Sequence, residues 1–476
     1  MEPGSRNAEN PASSDRAAAI QPTDHRDVFG CQSAPQYHRR AAKRATAAYT
    51  VGMRGGSKRK ATTTRSRSLA FAAIYFGNAL EWFDLVIFGY LATLLGRLFF
   101  PPDNDVIPLL LAFATFGVTF LFRPIGAVIL GGYADRHGRK AALLASALLM
   151  TVGTVLIAAT PTFATIGLWA PLVLLVGRII QGVAVGGEFS SVTSYLAEQD
   201  PARRGFFAAF QFSSQGVTAL LATGFGAALT VGFDTPTLEA GAWRLPFVFG
   251  ALIAPLGYLM RRYASETLEF RSSPAPLTAL AQHGKTEALL SASAVTLGTV
   301  CTYTILYLPT YAQRELHLPI QSGFVSGVIT ALILVVVPPL SGALSDRYGR
   351  LKVITPTAIL ILFFAYPAFA WLAAAPSLFR LIIMQAGLCI LTAAYIGVLP
   401  ALMAELFPPR YRGSGLAISY AVAVTLFGGF APFIITALIE QAGPVRAPSF
   451  YLISAALISL VGFVAIANRK KTYHRI

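Results

Sequence analysis

Long apolar segments recur along the chain, and they constrain its fold more strongly than any other feature. Between residues 70 and 468 there are twelve of them, each close to the ~20 residues that an α-helix needs to cross a bilayer. Charged residues make up only 13% of the chain, against about 25% in soluble proteins. The pattern predicts an all-α polytopic membrane protein with twelve transmembrane helices, at 70–98, 106–134, 141–160, 168–197, 205–232, 243–262, 287–313, 321–345, 352–375, 378–404, 413–439 and 448–468.

Two polar motifs between the apolar segments occur twice. "GGYADRHGRK" at 131–140 recurs as "SGALSDRYGRLK" at 341–352, and "YLAEQDPARRG" at 195–205 recurs as "LMAELFPPRYRG" at 402–413. The first pair repeats after 211 residues and the second after 208. Two independent motifs with nearly one spacing predict two pseudo-symmetric six-helix bundles.

The domain boundaries follow from this repeat. We expect an N-terminal six-helix bundle at 69–262, a cytoplasmic linker at 263–286, a C-terminal bundle at 287–468 and a cytoplasmic tail at 469–476. Residues 1–68 are polar and basic, so we expect a disordered tail without the apolar core of a signal peptide. Met53 opens a compact basic leader, which makes it a candidate translation start.

Basic residues are distributed unevenly about the predicted spans. With the N-terminus inside, the cytoplasmic segments from Met53 onward hold 24 Lys and Arg residues, whereas the opposite side holds 5. This asymmetry follows the positive-inside rule, so the net charge of +16 reflects orientation and does not indicate nucleic-acid binding. The asymmetry predicts a multi-pass membrane protein with both termini in the cytoplasm.

The repeated G-x-x-x-D-R-x-G-R motif is predicted to be a conformational latch between the halves. Its glycines permit close helix approach or a tight turn, its aspartates pair with cations or cap helices, and its arginines reach helix ends or lipid phosphates. A plain basic loop would not explain why the pattern recurs in both halves. The candidate latch residues are Gly131, Asp135, Arg136, Gly138, Arg139, Gly342, Asp346, Arg347, Gly349 and Arg350.

Five charged residues lie inside the predicted spans, all in the N-terminal half. Arg123 and Arg178 fall near mid-depth, where a guanidinium facing a cavity would bind a carboxylate through two parallel hydrogen bonds. Permanent ion pairs with buried acids are the alternative. Pro124 follows Arg123 and is expected to loosen the backbone hydrogen bonding there and re-aim its side chain.

The three acids inside the spans are candidates for carrying a coupling proton: Glu81, Asp84 and Glu188. Burial favours the neutral form of a carboxyl group, and a nearby arginine favours the charged form, so binding an anion at the arginine would change the balance. The alternative role for each acid is a hydrogen bond between helices.

Uncharged polar residues would complete the cavity. The further substrate-binding candidates are Asn78, Gln211, Gln215, Tyr303, Tyr307 and Tyr395. For the tyrosines, the alternative is packing or an interfacial aromatic belt.

Several strings resemble one known family. "GNALEWFD" (77–84), "GRIIQGVAVGGE" (177–188), "WRLPF" (243–247) and "AELFPPRYRG" (404–413), with the two loop motifs, resemble the metabolite:proton symporters of the major facilitator superfamily. The resemblance covers about 70–470 and is greatest to the citrate and tricarballylate carriers. It implies import of an organic anion with protons by alternating access, in a bacterial-type inner (plasma) membrane. Transport of shikimate, 2-oxoglutarate, proline or betaine on the same scaffold is the main alternative.

Other functional classes fit the chain less well. An ATP-driven pump would need a phosphate-binding P-loop, and an enzyme would need a catalytic constellation, and we find neither motif in the sequence. We therefore expect no enzymatic activity, no metal and no cofactor apart from the coupling proton. The expected partners are a small organic anion and the lipid bilayer, with the protein as a monomer. A channel or a transporter-derived nutrient sensor stays open as an alternative.

Overall fold

The structure, a computed structural model, describes residues 64–101, 106–137, 139–186, 188–251, 284–408 and 412–473. Within these ranges the secondary structure is helical, and no β-strand occurs. In the N-terminal half the helices are α1 (Thr64–Tyr90), α2 (Ala92–Phe99), α3 (Val106–Leu121), α4 (Arg123–His137), α5 (Arg139–Ala159), α6 (Phe163–Ile166), α7 (Trp169–Val185), α8 (Glu188–Ala197), α9 (Arg204–Ala208), α10 (Phe210–Gly232) and α11 (Thr235–Ala240). In the C-terminal half they are α12 (Lys285–Arg314), α13 (Ile320–Tyr348), α14 (Arg350–Ala374), α15 (Leu378–Leu406), α16 (Arg412–Ala423), α17 (Ala431–Ala442) and α18 (Arg446–Tyr473).

The predicted spans coincide with helices, apart from short breaks, wherever the structure describes them. By length and apolar composition, eight described helical segments are able to cross a membrane, or nine if the bent pair α1 and α2 counts as one. That pair bends by 68°. Two shorter apolar helices, Ala145–Ala159 and Trp169–Val185, occupy the third and fourth predicted spans. The sixth predicted span is helical at 245–251, and its remainder lies outside the described residues.

The first and last described helices extend into the segments that were expected to be tails. Helix α1 begins at Thr64, inside the segment predicted to be disordered, and α18 continues to Tyr473, inside the predicted cytoplasmic tail. Hydropathy marks only the part of a helix that lies in hydrocarbon, whereas backbone hydrogen bonding continues into polar flanks. Basic residues at a helix C-terminus also interact favourably with the helix dipole. The predicted linker at 263–286 lies almost wholly outside the described residues.

Two predicted spans contain irregular backbone near their middle. The second span breaks at Phe122 into α3 and α4, next to Pro124, whose missing N–H cannot continue the helix ladder. In the eleventh span, α16 and α17 are joined by a π-helical turn at Val424–Gly429. Such π-turns are frequent at functional positions because they re-aim the side chains that follow.

The halves contact each other along α9, α10 and α13, and glycines bring these helices close together. A Cβ atom on Gly342 would lie 2.8 Å from the carbonyl carbon of Gly205, and one on Gly216 would lie 2.6 Å from the nitrogen of Val335. Small residues at membrane helix interfaces permit this approach of two backbones. The Gly205–Gly342 contact lies at the predicted cytoplasmic end of both spans, and the Gly216–Val335 contact lies nearer their middle.

Candidate functional site

A buried polar network connects an acid on α1 with an arginine on α7. Asp84 accepts a hydrogen bond through Oδ2 from the hydroxyl of Thr154 on α5. Gln181 donates from Nε2 to Thr154 Oγ1 at 2.9 Å, and its Oε1 accepts from Arg178 Nη1 at 2.9 Å. Asp84 is 4% exposed and Arg178 is 0% exposed. Two neutral side chains, those of Thr154 and Gln181, therefore connect the carboxyl group of Asp84 to the guanidinium of Arg178.

Both charged ends of this network keep open hydrogen-bonding capacity. Among the described residues, Asp84 Oδ1 and the Nε and Nη2 atoms of Arg178 have no hydrogen-bond partner. Gly250 packs directly on the Asp84 carboxylate, where a Cβ atom would lie 2.8 Å from Asp84 Cγ. Open charged groups in a low-dielectric interior are costly, so they favour either direct pairing with each other or a further ligand.

Aromatic rings cover the faces of both intramembrane arginines. The guanidinium of Arg178 lies 3.6 Å from the ring centroid of Phe88. That of Arg123, which is 4% exposed, lies 4.4 Å from the Trp82 ring and 4.3 Å from the Phe120 ring. Cation–π stacking uses the faces of the guanidinium and leaves its N–H groups, which lie in the plane, for oxygen acceptors. The arrangement suits an arginine that binds a carboxylate edge-on.

Two tyrosines of the C-terminal half face the Arg123 side of the site. Tyr303 on α12 and Tyr420 on α16 both lie in electrostatic range of Arg123. The Tyr303 ring packs edge-to-face on Phe120 at 5.3 Å between centroids. Tyr420 stacks on Phe189 of α8 at 3.5 Å, a contact across the two halves. Arg123 is therefore surrounded by side chains from both halves.

Two small cavities lie between the halves at this level. The larger has a volume of about 50 Å³ and the smaller about 10 Å³, enough by the usual measure for a few water molecules. Gln215, Phe212 and Thr302 border both cavities. The other polar lining residues are Tyr90, Thr299, Tyr303, Thr330 and Tyr420. A larger polar ligand would enter only after the halves move apart.

The remaining binding candidates have different surroundings. Asn78 donates from Nδ2 to Ser214 Oγ at 2.6 Å and accepts from Gln211 Nε2 at 3.4 Å, so these residues join α1 to α10. Tyr307 packs edge-to-face on Phe113 at 5.6 Å between ring centroids, and it lines neither cavity. Tyr395 donates to the carbonyl of Ala294 at 2.6 Å and lines neither cavity. Among all the substrate-binding candidates, Gln215 and Tyr303 are the ones that line the cavities.

The two other candidate acids contribute less to the described site. Glu81 is half-buried on α1, one turn before Asp84. Glu188 is the first residue of α8, but its side chain lies outside what the structure describes.

The second copy of the loop motif connects the two halves. Asp346, at the end of α13, accepts hydrogen bonds from the backbone N–H groups of Gly205 at 2.8 Å and Phe206 at 2.9 Å. Arg350 binds Asp346 at 2.6 Å and Glu405 at 2.9 Å. The carboxylate thus caps the N-terminus of a helix in the opposite half, where the helix dipole favours negative charge.

The other latch candidates are placed as follows. Gly349 has φ of +95° at the turn between α13 and α14, a conformation that favours glycine. The Arg347 guanidinium lies 5.4 Å from the Tyr348 ring centroid. In the first copy of the motif, Gly131 lies in α4, Gly138 lies outside the described residues, and the side chains of Asp135, Arg136 and Arg139 are likewise outside what the structure describes.

Comparison with known proteins places the chain in a family. The profile of the Major Facilitator Superfamily matches residues 68–373 and, in a second overlapping match, 329–475. The chain belongs to the Major Facilitator Superfamily. This confirms the resemblance carried by the loop motifs, and with it the all-α fold of a membrane transporter family. The multi-pass membrane location follows from the same membership.

Relatives in this family span nearly the whole chain. The citrate-proton symporter of Klebsiella pneumoniae is 36% identical over 418 residues, which cover 86% of this chain and 94% of that protein. The alpha-ketoglutarate permease of Escherichia coli (strain K12) is 32% identical over 428 residues, covering 87% and 97%. The proline/betaine transporter of the same strain is 30% identical over 432 residues, covering 85% and 84%.

Solved structures with similar folds include two transporters. The xylose transporter XylE from E. coli aligns with a TM-score of 0.63 at 17% identity, covering 84% of this chain and 98% of that one. The human organic anion transporter MFSD10 (TETRAN) aligns with a TM-score of 0.60 at 17% identity, covering 83% and 98%. At these identities the likeness shows the shared fold alone.

Proposed function

We propose that the chain is a secondary active transporter that imports a di- or tricarboxylate, such as citrate, together with protons by alternating access. The observation that carries the proposal is the fully buried Arg178, with two open N–H donors, held close to Asp84 by Gln181 and Thr154. The citrate-proton symporter among the relatives supports the choice of substrate. The proton is the coupling ion, no cofactor takes part, and the protein is not an enzyme.

Arg178 and Asp84 supply a simple coupling rule. An ionised Asp84 competes with a substrate carboxylate for the open donors of Arg178, whereas a protonated Asp84 does not compete. Proton binding at Asp84 therefore favours anion binding at Arg178, and the reverse holds by thermodynamic linkage. Symport with protons also offsets the work of moving an anion against an inside-negative potential, about 2.3 kcal/mol per charge per 100 mV.

Alternating access requires the two halves to rock about the site. The substrate carboxylates would bind Arg123 and Arg178 of the N-terminal half, while Tyr303 and Tyr420 approach from the C-terminal half. The transporter would work as a monomer in the lipid bilayer of a bacterial inner membrane, with both termini cytoplasmic.

Uptake into proteoliposomes tests the proposal. With an acidic exterior, we expect saturable accumulation of radiolabelled citrate that a protonophore abolishes. Accumulation without saturation would indicate a channel, and specific binding without uptake would indicate a sensor.

A thermal-shift screen separates the possible substrates. We expect purified protein to be stabilised by citrate or tricarballylate more than by shikimate, proline or betaine, because two buried arginines match two carboxylates. A ligand at a hundred times its Kd adds about 2.7 kcal/mol to the stability of the protein. The dicarboxylate 2-oxoglutarate is the second candidate, since the alpha-ketoglutarate permease is also a relative. Stabilisation by betaine alone would contradict the carboxylate assignment.

The latch at Asp346 yields a further prediction. Asp346→Ala removes the acceptor of two helix N–H groups and the partner of Arg350, which we expect to lower the maximal citrate uptake rate about fivefold. Initial rates in proteoliposomes at saturating citrate measure this effect. The matched control is Asp200→Ala, which removes a helix cap from Ala202 within one half and is expected to leave the rate unchanged. Equal rates in both variants would exclude the latch role.

A further inference from the structure

The backbone carbonyl of Phe120 lies at the break in the second span. In a continuous helix it would accept from the N–H of the residue four positions later, which is Pro124 and has no N–H. The neighbouring helical hydrogen bonds are kept on both sides of the break, since the N–H of Phe122 donates to the carbonyl of Val118 at 3.3 Å and the N–H of Gly126 donates to the carbonyl of Phe122 at 3.0 Å. Pro124 therefore leaves the Phe120 carbonyl without the N–H donor that a helix would supply, and in a membrane interior such a carbonyl needs another donor.

The replacement donor comes from the other half of the protein. Thr425 Oγ1 donates to the Phe120 carbonyl at 2.8 Å, and both residues are buried. Many threonines in the described helices instead donate to the carbonyl four residues earlier in their own helix, including Thr115, Thr151, Thr223, Thr304, Thr330, Thr392 and Thr436. Thr425 lies in the π-helical turn, which directs its hydroxyl away from its own helix.

Two glycine–phenylalanine contacts surround this hydrogen bond. A Cβ atom on Gly429 would lie 2.9 Å from Phe120 Cβ, and one on Gly117 would lie 2.9 Å from Phe430 Cγ. Each half therefore places a phenylalanine ring on a glycine of the other half. The Thr425 bond is available only when α3 and the π-helical turn are in this close contact.

Phe120 also contacts the substrate-site arginine. Its ring lies under the Arg123 guanidinium, and its carbonyl belongs to the turn immediately before Arg123. A change at the Phe120 carbonyl would move the turn that aims the arginine.

We propose that Thr425 is a positioning residue of the transport cycle. Its hydroxyl supplies the hydrogen bond that Pro124 withholds from Phe120, and so couples closure between α3 and the π-helical turn to the placement of Arg123. The inference rests on the proposed alternating-access function. When α3 and the π-helical turn separate, entering water replaces Thr425 at the Phe120 carbonyl. The Thr425 bond therefore favours the closed state, in which α3 and the π-helical turn are in contact.

Distances between spin labels test this coupling without any substrate. Spin labels on the variants Ile107→Cys and Gln441→Cys, two exposed sites near the ends of α3 and α17, report the separation of the halves in nanodiscs. Cys31 is replaced by serine, and Cys301 and Cys389 are buried. The variants are Thr425→Val, Thr425→Ser, Pro124→Ala and the double variant Pro124→Ala/Thr425→Val, each checked for monodispersity.

We expect Thr425→Val to lower the ratio of closed to open populations about three- to twentyfold, the range measured for interhelical hydrogen bonds in membranes. Thr425→Ser keeps the hydroxyl and should retain the wild-type ratio. Pro124→Ala restores a helical donor to Phe120, so Thr425→Val should have little further effect in that background.

Three results would overturn the proposal: an unchanged ratio in Thr425→Val, a serine variant that behaves like valine, or a full valine effect in the Pro124→Ala background. If the single valine variant does not fold, the serine and double variants still decide. The spin-label distances are measured without substrate. Failure of citrate uptake in proteoliposomes would therefore count against the proposed function and not against this coupling.

Discussion

Arg123→Ala is expected to abolish proton-driven citrate uptake while leaving the amount of protein in the membrane unchanged. The guanidinium lies between Trp82 and Phe120, and its charge reaches Tyr303 and Tyr420 of the opposite half. Two charge-assisted hydrogen bonds to a carboxylate are worth about 1.5–3 kcal/mol each, so losing both lowers uptake at limiting citrate by about two orders of magnitude or more. Initial uptake rates normalised to protein amount measure the loss.

Two further variants make this result specific to the site. Arg97→Ala removes an exposed arginine on α2 and should retain wild-type uptake. Arg123→Lys keeps the charge but loses the planar fork, and is expected to retain weak uptake with a raised KM. Wild-type uptake by the Arg123→Ala protein would remove Arg123 from the substrate site.

Asp84→Asn is expected to separate transport from its proton coupling. Asparagine has nearly the same shape and can still accept from Thr154, but it cannot bind and release a proton. We therefore expect uptake driven by a pH gradient to fall to background, while exchange of labelled for unlabelled citrate continues within about threefold of wild type, since an uncharged partner does not compete for Arg178. Parallel measurement of gradient-driven uptake and of counterflow distinguishes the two activities.

Glu81→Gln is the matched control because it makes the same chemical change one helical turn earlier. Glu81 is half-buried, whereas Asp84 is buried and belongs to the network that reaches Arg178. We expect Glu81→Gln to keep gradient-driven uptake. Loss of coupling in Glu81→Gln together with normal coupling in Asp84→Asn would assign the proton to Glu81, and survival in both variants would exclude both acids.

Most charged members of the site could be found in the sequence. A charge inside an apolar span is rare, so Arg123, Arg178 and Asp84 stand out without any structure. The loop motif likewise identified Asp346, because recurrence at one spacing is improbable for a plain basic loop. The partners of these residues were harder to find.

Neutral members of the site gave no comparable signal. Thr154 and Thr425 are two among many threonines in the spans, and Tyr420 is one of 18 tyrosines. Gln181 follows Arg178 at helical spacing, so its contact with the arginine was within reach of sequence reasoning, but its bond to Thr154 of α5 was not. For Asn78 and Gln211, polarity predicted a place in the cavity, yet their side chains bond to each other between α1 and α10.

Residue type and spacing along the chain were sufficient for the membrane class, the two halves and the buried Asp84, Arg123 and Arg178, because hydropathy, repeats and isolated charges are visible in the residue order without any knowledge of helix packing. Tyr395 and Tyr303 show where that information ends. Both are buried tyrosines in apolar helices, but one donates to a backbone carbonyl within its half and the other faces Arg123 across the interface. Helix rotation and the close approach at glycines such as Gly117 and Gly429 determine that difference. Rotation and close approach of helices arise from the packing of segments some 300 residues apart in the chain. Thr425, for example, reaches the Phe120 carbonyl only when α3 and the π-helical turn are both in place.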